Sequence, residues 1–248
     1  MASVPGSIGV GDQRVLMALE DADTGESLAS PDIEVTATLR DRIGTPLGEY
    51  PGEFVWMIRD VRGLYRFDME IPGPGTFQVT LVGDGISETA PVGLVAAEDP
   101  AVIEEGERAP LSDTRTTKSH DLADITTDPD PDPAFYEMTV AEAVQTGPSV
   151  VVFATPAWCV SQTCGPLLNQ VKALSDDYPD LNYVHVEIYE NIHADSFQDL
   201  IAVPAVGEWG LPSEPWVFIT DDNGTVSAAF QGVASDAELS AAFAEVSS

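Results

Sequence analysis

Basic residues are scarce in this chain. Its 248 residues carry 42 Asp and Glu against 10 Lys and Arg, and the formal charge is −32 at pH 7. Only Lys118 and Lys172 are lysines. A field of that sign repels phosphate and no basic cluster interrupts it, so neither nucleic acid nor an anionic membrane surface is an expected partner. Two sources of the acidity stay open, a solvated acidic surface and adaptation to high salt. Long apolar runs are missing as well, and no membrane-spanning segment is expected. The opening stretch, MASVPGSIGVGDQR, has neither the basic start nor the apolar core of a signal peptide. It is equally compatible with a mature chain whose leader has been removed. Cysteine occurs twice, at Cys159 and Cys164, spaced C-x4-C.

What is present divides in three. From about Gly9 to Glu98 the chain reads as all-β. Ile33, Val35, Ala37 and Leu39 alternate with Glu34, Thr36 and Thr38, and Tyr65, Phe67, Met69 and Ile71 alternate with Arg66, Asp68 and Glu70. With Gly/Pro punctuation such as Pro72-Gly73-Pro74-Gly75, this period predicts half-buried strands in a sandwich over residues 1–98. Residues 99–133 are acidic and proline-rich and read as a linker lying along the next domain. Its Asp128-to-Pro133 alternation of Asp and Pro must be extended, because each proline disfavours helix for the residue before it. That run lacks the turn glycine and ligand spacing of a calcium loop.

Residues 134–248 change period. Thr139 and Glu142 form a capping-box pattern opening a short helix that stops at Gly147-Pro148. SVVVFAT is continuous and apolar, as in a central parallel strand. GPLLNQVKALSDDY predicts an amphipathic helix with Pro166 in its first turn. LNYVHVEIY predicts a strand, SFQDLIA a short helix, and PWVFITDDNGTVSAAFQG two strands joined at Asn223-Gly224. Ser235 and Glu238 open a last helix. The predicted class is therefore α+β and multidomain, with an all-β sandwich followed by an α/β domain.

Two resemblances follow. GLYRFDMEIPGPGTFQVTLVGDG resembles small immunoglobulin-like domains found outside the cytoplasm, without the cysteines of antibody domains. Over residues 134–248 the element order, VVFATPAWC, Cys164-Gly165-Pro166 and GLPSEPWVFITDDNG together resemble the extracytoplasmic thioredoxin-like family. The resemblance implies thiol–disulfide exchange on a protein substrate and a redox partner protein, with no organic cofactor. It makes Cys159 the attacking thiol and Cys164 the resolving one. Pro215 becomes a cis-proline presenting backbone to the substrate and keeping metals off the thiols, and Trp158, Glu214 and Trp209 line the substrate groove. An extracytoplasmic location (secreted, periplasmic or cell-surface) is the matching expectation.

The chain also departs from that pattern. Matching Cys-Gly-Pro instead of Trp-Cys would make Cys164 the attacking thiol and leave Leu167 where a resolving cysteine belongs. Val152 stands where thioredoxin keeps a buried acid. Glu187 is a candidate replacement, although a strand-end glutamate is by default exposed. Residues five apart in a helix rise about 7.5 Å, whereas disulfides span Cα atoms about 4.4–6.8 Å apart. A bridge therefore requires Cys159 to fold back over the helix start. Two competing readings remain. One is a redox-silent binding or structural protein with an inert bridge. The other is a copper-handling relative, whose cysteines would be spaced C-x3-C and joined by His185 or His193; no metal site is expected.

Overall fold

The computed structural model describes residues 8–21, 23–86 and 88–247. It is mostly β, with three sheets and few helices, and divides into two compact units, Met1–Pro100 and Ala101–Ser248.

The first unit contains seven strands: β1 (Gly11–Met17), β2 (Val35–Arg40), β3 (Pro46–Pro51), β4 (Glu53–Ile58), β5 (Arg62–Ile71), β6 (Gly75–Gly83) and β7 (Val92–Ala96). They form two antiparallel sheets, ordered β1-β5-β4 and β3-β2-β6-β7. Both sheets bury alternate residues in one core: Tyr65, Phe67, Met69 and Ile71 come from β5, and Val35, Ala37 and Leu39 from β2. The period-two pattern thus becomes an inside and an outside. Tyr65 is buried, and its hydroxyl donates to the Ser30 carbonyl at 3.0 Å, which holds the chain ahead of β2. No helix occurs among the described residues of this unit.

The second unit contains α1 (Val140–Thr146), β8 (Ser149–Ala154), α2 (Cys164–Ser175), β9 (Asn182–Glu187), α3 (Pro204–Glu208), β10 (Trp216–Thr220), β11 (Val226–Gln231) and α4 (Asp236–Val246). The sheet order is β11-β10-β8-β9, with β8 and β9 parallel and the other pairs antiparallel. Both capping boxes form, Thr139 with Glu142 and Ser235 with Glu238. The sheet is covered on both faces. Val150, Val152 and Ala154 of β8 pack towards α2 and α4, while Val151 and Phe153 pack towards α1 and α3. That double burial is why β8 reads as an unbroken apolar run. Where a helix is expected at SFQDLIA, only a short 3-10 turn forms, at Phe197–Asp199. The helix comes later, led by Pro204 in its first turn.

From Ala101 onward the segment read as a linker packs as a strap on this unit. It first shields a sheet edge. Gly106 N–H donates to the Val226 carbonyl and Val226 N–H to the Glu107 carbonyl, so the strap pairs with β11 and leaves less of its edge open. Further on, Ala109, Ser112, Thr116, Ile125, Thr126 and Asp128 are buried. Polarity concealed this in the sequence. Small and hydroxyl-bearing side chains go inside when each finds a partner, as Ser112 does by accepting from Trp209 Nε1 at 3.1 Å.

Candidate functional site

Cys159 and Cys164 form a disulfide with Cα atoms 6.0 Å apart. The fold-back this requires is made at Gln162, whose φ of 63° lies in the left-handed region that non-glycine residues seldom enter. Gln162 N–H donates to the Cys159 carbonyl at 3.3 Å, closing the turn. Cys164 is the first residue of α2 and is wholly buried in the core between sheet and helices. Cys159 is only partly buried against that core. Its Sγ accepts from Cys164 N–H at 3.2 Å and lies 3.3 Å from Ser161 Oγ. Amide groups at a helix start favour negative charge, so a thiolate on Cys159 would be stabilised where it sits.

The flanking residues are placed by the strand ends. Trp158 is half-buried, and its Nε1 donates to the Ile192 carbonyl at 3.1 Å. The Glu214–Pro215 peptide bond is cis. Trp216 pairs with Phe153 in the antiparallel register, so Glu214 and Pro215 continue beside the chain that leaves β8 for Cys159. Pro215 is buried, while Glu214 is half-buried with its carboxyl pushed above the ordinary range by that burial. Cys159, Cys164, Trp158, Glu214 and Pro215 therefore converge on one end of the sheet.

Trp209 does not join them, which corrects its place in the expected groove. It is completely buried, with ring centroids 5.2 Å from Phe153 and 4.6 Å from Phe218. These partners lie on the α1–α3 face, across the sheet from Cys164. A large indole with one N–H packs well in a core once that donor is satisfied, here by Ser112.

Glu187, at the end of β9, is buried rather than exposed. Burial pushes its carboxyl upward, opposed by the Thr155 hydroxyl beside it and by hydrogen bonds from Thr127. Thr127 donates to Glu187 Oε2 through both its backbone N–H, at 2.8 Å, and its hydroxyl, at 2.7 Å. Oε1 and the Thr155 hydroxyl are both buried without completing a well-formed hydrogen bond.

His185 pairs with Val152 in the parallel register and is buried. Its Nε2 lies 3.2 Å from the Ala154 carbonyl and its Nδ1 2.7 Å from Tyr136 Oη, which is 3.0 Å from Thr126 Oγ1. A neutral ring with its proton on Nε2 donates to Ala154 and leaves Nδ1 as an acceptor facing the Tyr136 and Thr126 hydroxyls. Burial depresses its pKa from 6.5 to about 4, an effect only partly offset by the Ala154 contact. Between those limits the unfolded chain binds the proton and the folded one does not. The stability contributed by the neutral ring is thus complete above pH 6.5 and falls as pH drops towards 4, by roughly 3 kcal/mol in all. Glu187, with its pKa raised, works in the opposite sense, so the ring is best observed directly. Its NMR shifts are expected to remain those of neutral imidazole at pH 5.5, and a ring titrating near 6.5 would contradict its placement.

Neither histidine considered as a metal ligand reaches the cysteines. Both ring nitrogens of His185 face partners, and exposed His193 lies 3.3 Å from Asp124 Oδ1. Among the described residues no group of three His, Cys, Asp or Glu side chains is placed to hold a metal ion. No described helix is long and apolar enough to cross a membrane.

The residues that escaped sequence reading lie on the strap and facing it. Lys172 of α2 donates to Asp128 Oδ2 at 2.6 Å and to the Asp130 carbonyl at 2.7 Å. Arg115 donates to the Glu190 carbonyl at 2.6 Å. Leu122, Ala123, Thr126, Thr127, Asp128 and Pro131 line an open groove of about 400 Å³. The signal available for Lys172 was its rarity, one of two lysines in a strongly acidic chain.

The chain matches no protein-family model, and no curated protein matches it.

Proposed function

We propose that the second unit is a thioredoxin-like thiol–disulfide oxidoreductase acting on protein cysteines outside the cytoplasm. The first unit would be an immunoglobulin-like sandwich that docks a partner. The observation carrying this reading is the asymmetry of the pair: a partly exposed Cys159 is bridged to a wholly buried Cys164 at the start of one helix.

From the disulfide form, a substrate thiolate attacks Cys159 Sγ, the Cys159–Cys164 bond breaks, and Cys164 leaves as thiolate. A second substrate thiolate then attacks the substrate sulfur of the mixed disulfide, and Cys159 leaves as thiolate on the amide of Cys164. Two substrate thiols are oxidised to a disulfide and the pair is reduced by two electrons. Run backwards, the same steps reduce a substrate disulfide. In this reading Trp158, which precedes Cys159, and the cis-Pro215 backbone, which continues beside the chain leaving β8, wall the substrate groove, and no organic cofactor takes part.

A second reading, a redox-silent binding protein with a structural bridge, draws support from the complete burial of Cys164. A redox titration of the intact chain in glutathione buffers, read by mass after alkylation, separates the two. Exchange enzymes hold potentials between about −120 and −270 mV, while structural bridges lie below about −300 mV. A value in the first range is expected; a pair that glutathione cannot reduce would favour the bridge.

A further inference from the structure

The strap and the cysteine loop meet at Thr127. Its Oγ1 accepts from Ala157 N–H at 3.1 Å, two residues ahead of Cys159. The same hydroxyl donates to Glu187 Oε2, as does the Thr127 backbone N–H. Glu187 is fixed in turn by the parallel register, which sets it beside Ala154, the last residue of β8. At Ala154 itself the carbonyl faces His185 Nε2 at 3.2 Å. Between those points Trp158 N–H donates to the Thr155 carbonyl at 3.1 Å, so the turn entering the loop is closed. The stretch from Ala154 to Ala157 is thus held from outside, by β9 on one side and the strap on the other.

We propose that Thr127, seated on the Glu187 carboxylate, is a positioning residue of the redox centre. It keeps Cys159 over the start of α2 within bonding range of Cys164, and so favours the disulfide over the dithiol. This rests on the exchange chemistry proposed above. The physical reason is loop closure. Forming the bridge costs the freedom of the residues that lead to it, and a tether already present in the dithiol removes part of that freedom beforehand. Glu187 contributes by accepting two hydrogen bonds from Thr127, which locks the Thr127 backbone and directs a hydroxyl lone pair at Ala157. No residue of the C-x4-C segment supplies this tether.

Thr127→Val keeps the side-chain shape and removes the hydroxyl. In the intact chain, equilibrated with glutathione, its disulfide is expected to be about three- to tenfold easier to reduce, on the order of the freedom of one backbone residue that the tether no longer restricts in the dithiol. Thr127→Ser is expected to restore the wild-type equilibrium. Thr117→Val removes another hydroxyl of the strap, one that donates to the Tyr136 carbonyl at 3.2 Å, and is expected to leave the equilibrium unchanged. Glu187→Gln keeps the shape but weakens the acceptor, so it is expected to shift the equilibrium in the same direction; it also serves if Thr127→Val does not fold. An unshifted equilibrium in the folded variants, a failed serine rescue, or an equal shift in Thr117→Val would overturn the role of Thr127 while leaving the exchange chemistry intact. A wild-type pair that does not exchange with glutathione would overturn both.

Discussion

Lys172→Met is expected to destabilise the second unit by about 3–5 kcal/mol, the usual cost of stranding one member of a buried ion pair. The Lys172 side chain is 14% exposed and that of Asp128 4%. Without the ammonium group, the Asp128 carboxylate would remain buried with its partner gone, and the Asp130 carbonyl would lose its donor. The strap and α2 are joined at this point, so the loss should appear as early exchange of amides in residues 126–130 and a lower unfolding midpoint. Lys172→Met combined with Asp128→Leu is expected to recover much of the stability, because an apolar pair of similar volume often replaces a buried ion pair at little cost. A single variant costing under about 0.5 kcal/mol would place the pair among solvent-screened surface contacts instead.

Lys172 and Asp128 also show where sequence reading stopped. The Asp-Pro alternation identifies an extended backbone, but nothing in it says that Asp128 faces a lysine 44 positions later. Long-range polar pairing has no period. Apolar patterning has one, and the elements it governs were legible: the alternation in β2 and β5, the apolar run of β8, and the helix starts at Thr139 and Ser235. Each is set by local burial or capping, which neighbouring residues alone can encode. Trp209 could not be placed that way. An aromatic near a proline segment suits a groove or a core equally, and Ser112, whose hydroxyl satisfies its N–H, lies 97 residues earlier. Glu187 went astray for the same reason, because its hydrogen-bond donors sit at Thr127, outside any window around β9. The cysteine loop was half legible. Its spacing required a fold-back, but the left-handed Gln162 that makes it carries no glycine to announce itself.

The proposed exchange through Cys159 carries a second large expected effect. Cys164→Ser is expected to leave a mixed disulfide on Cys159 that persists, since the resolving sulfur is gone, and partner proteins should be recoverable through it. Cys159→Ser is expected to abolish exchange, because the remaining thiol at Cys164 is wholly buried and cannot be reached by a second chain. Both variants lose the bridge equally, so a merely structural disulfide would make them behave alike.

The order in which the two thiols react tests the assignment most directly. The reduced chain, pulsed with an alkylating agent at neutral pH without denaturant and read by peptide mass, is expected to carry label on Cys159 well before Cys164. Label arriving first on Cys164 would reverse the roles of the two sulfurs. If neither thiol is labelled until denaturant is added, exchange is contradicted and the Cys159–Cys164 bond is a structural bridge.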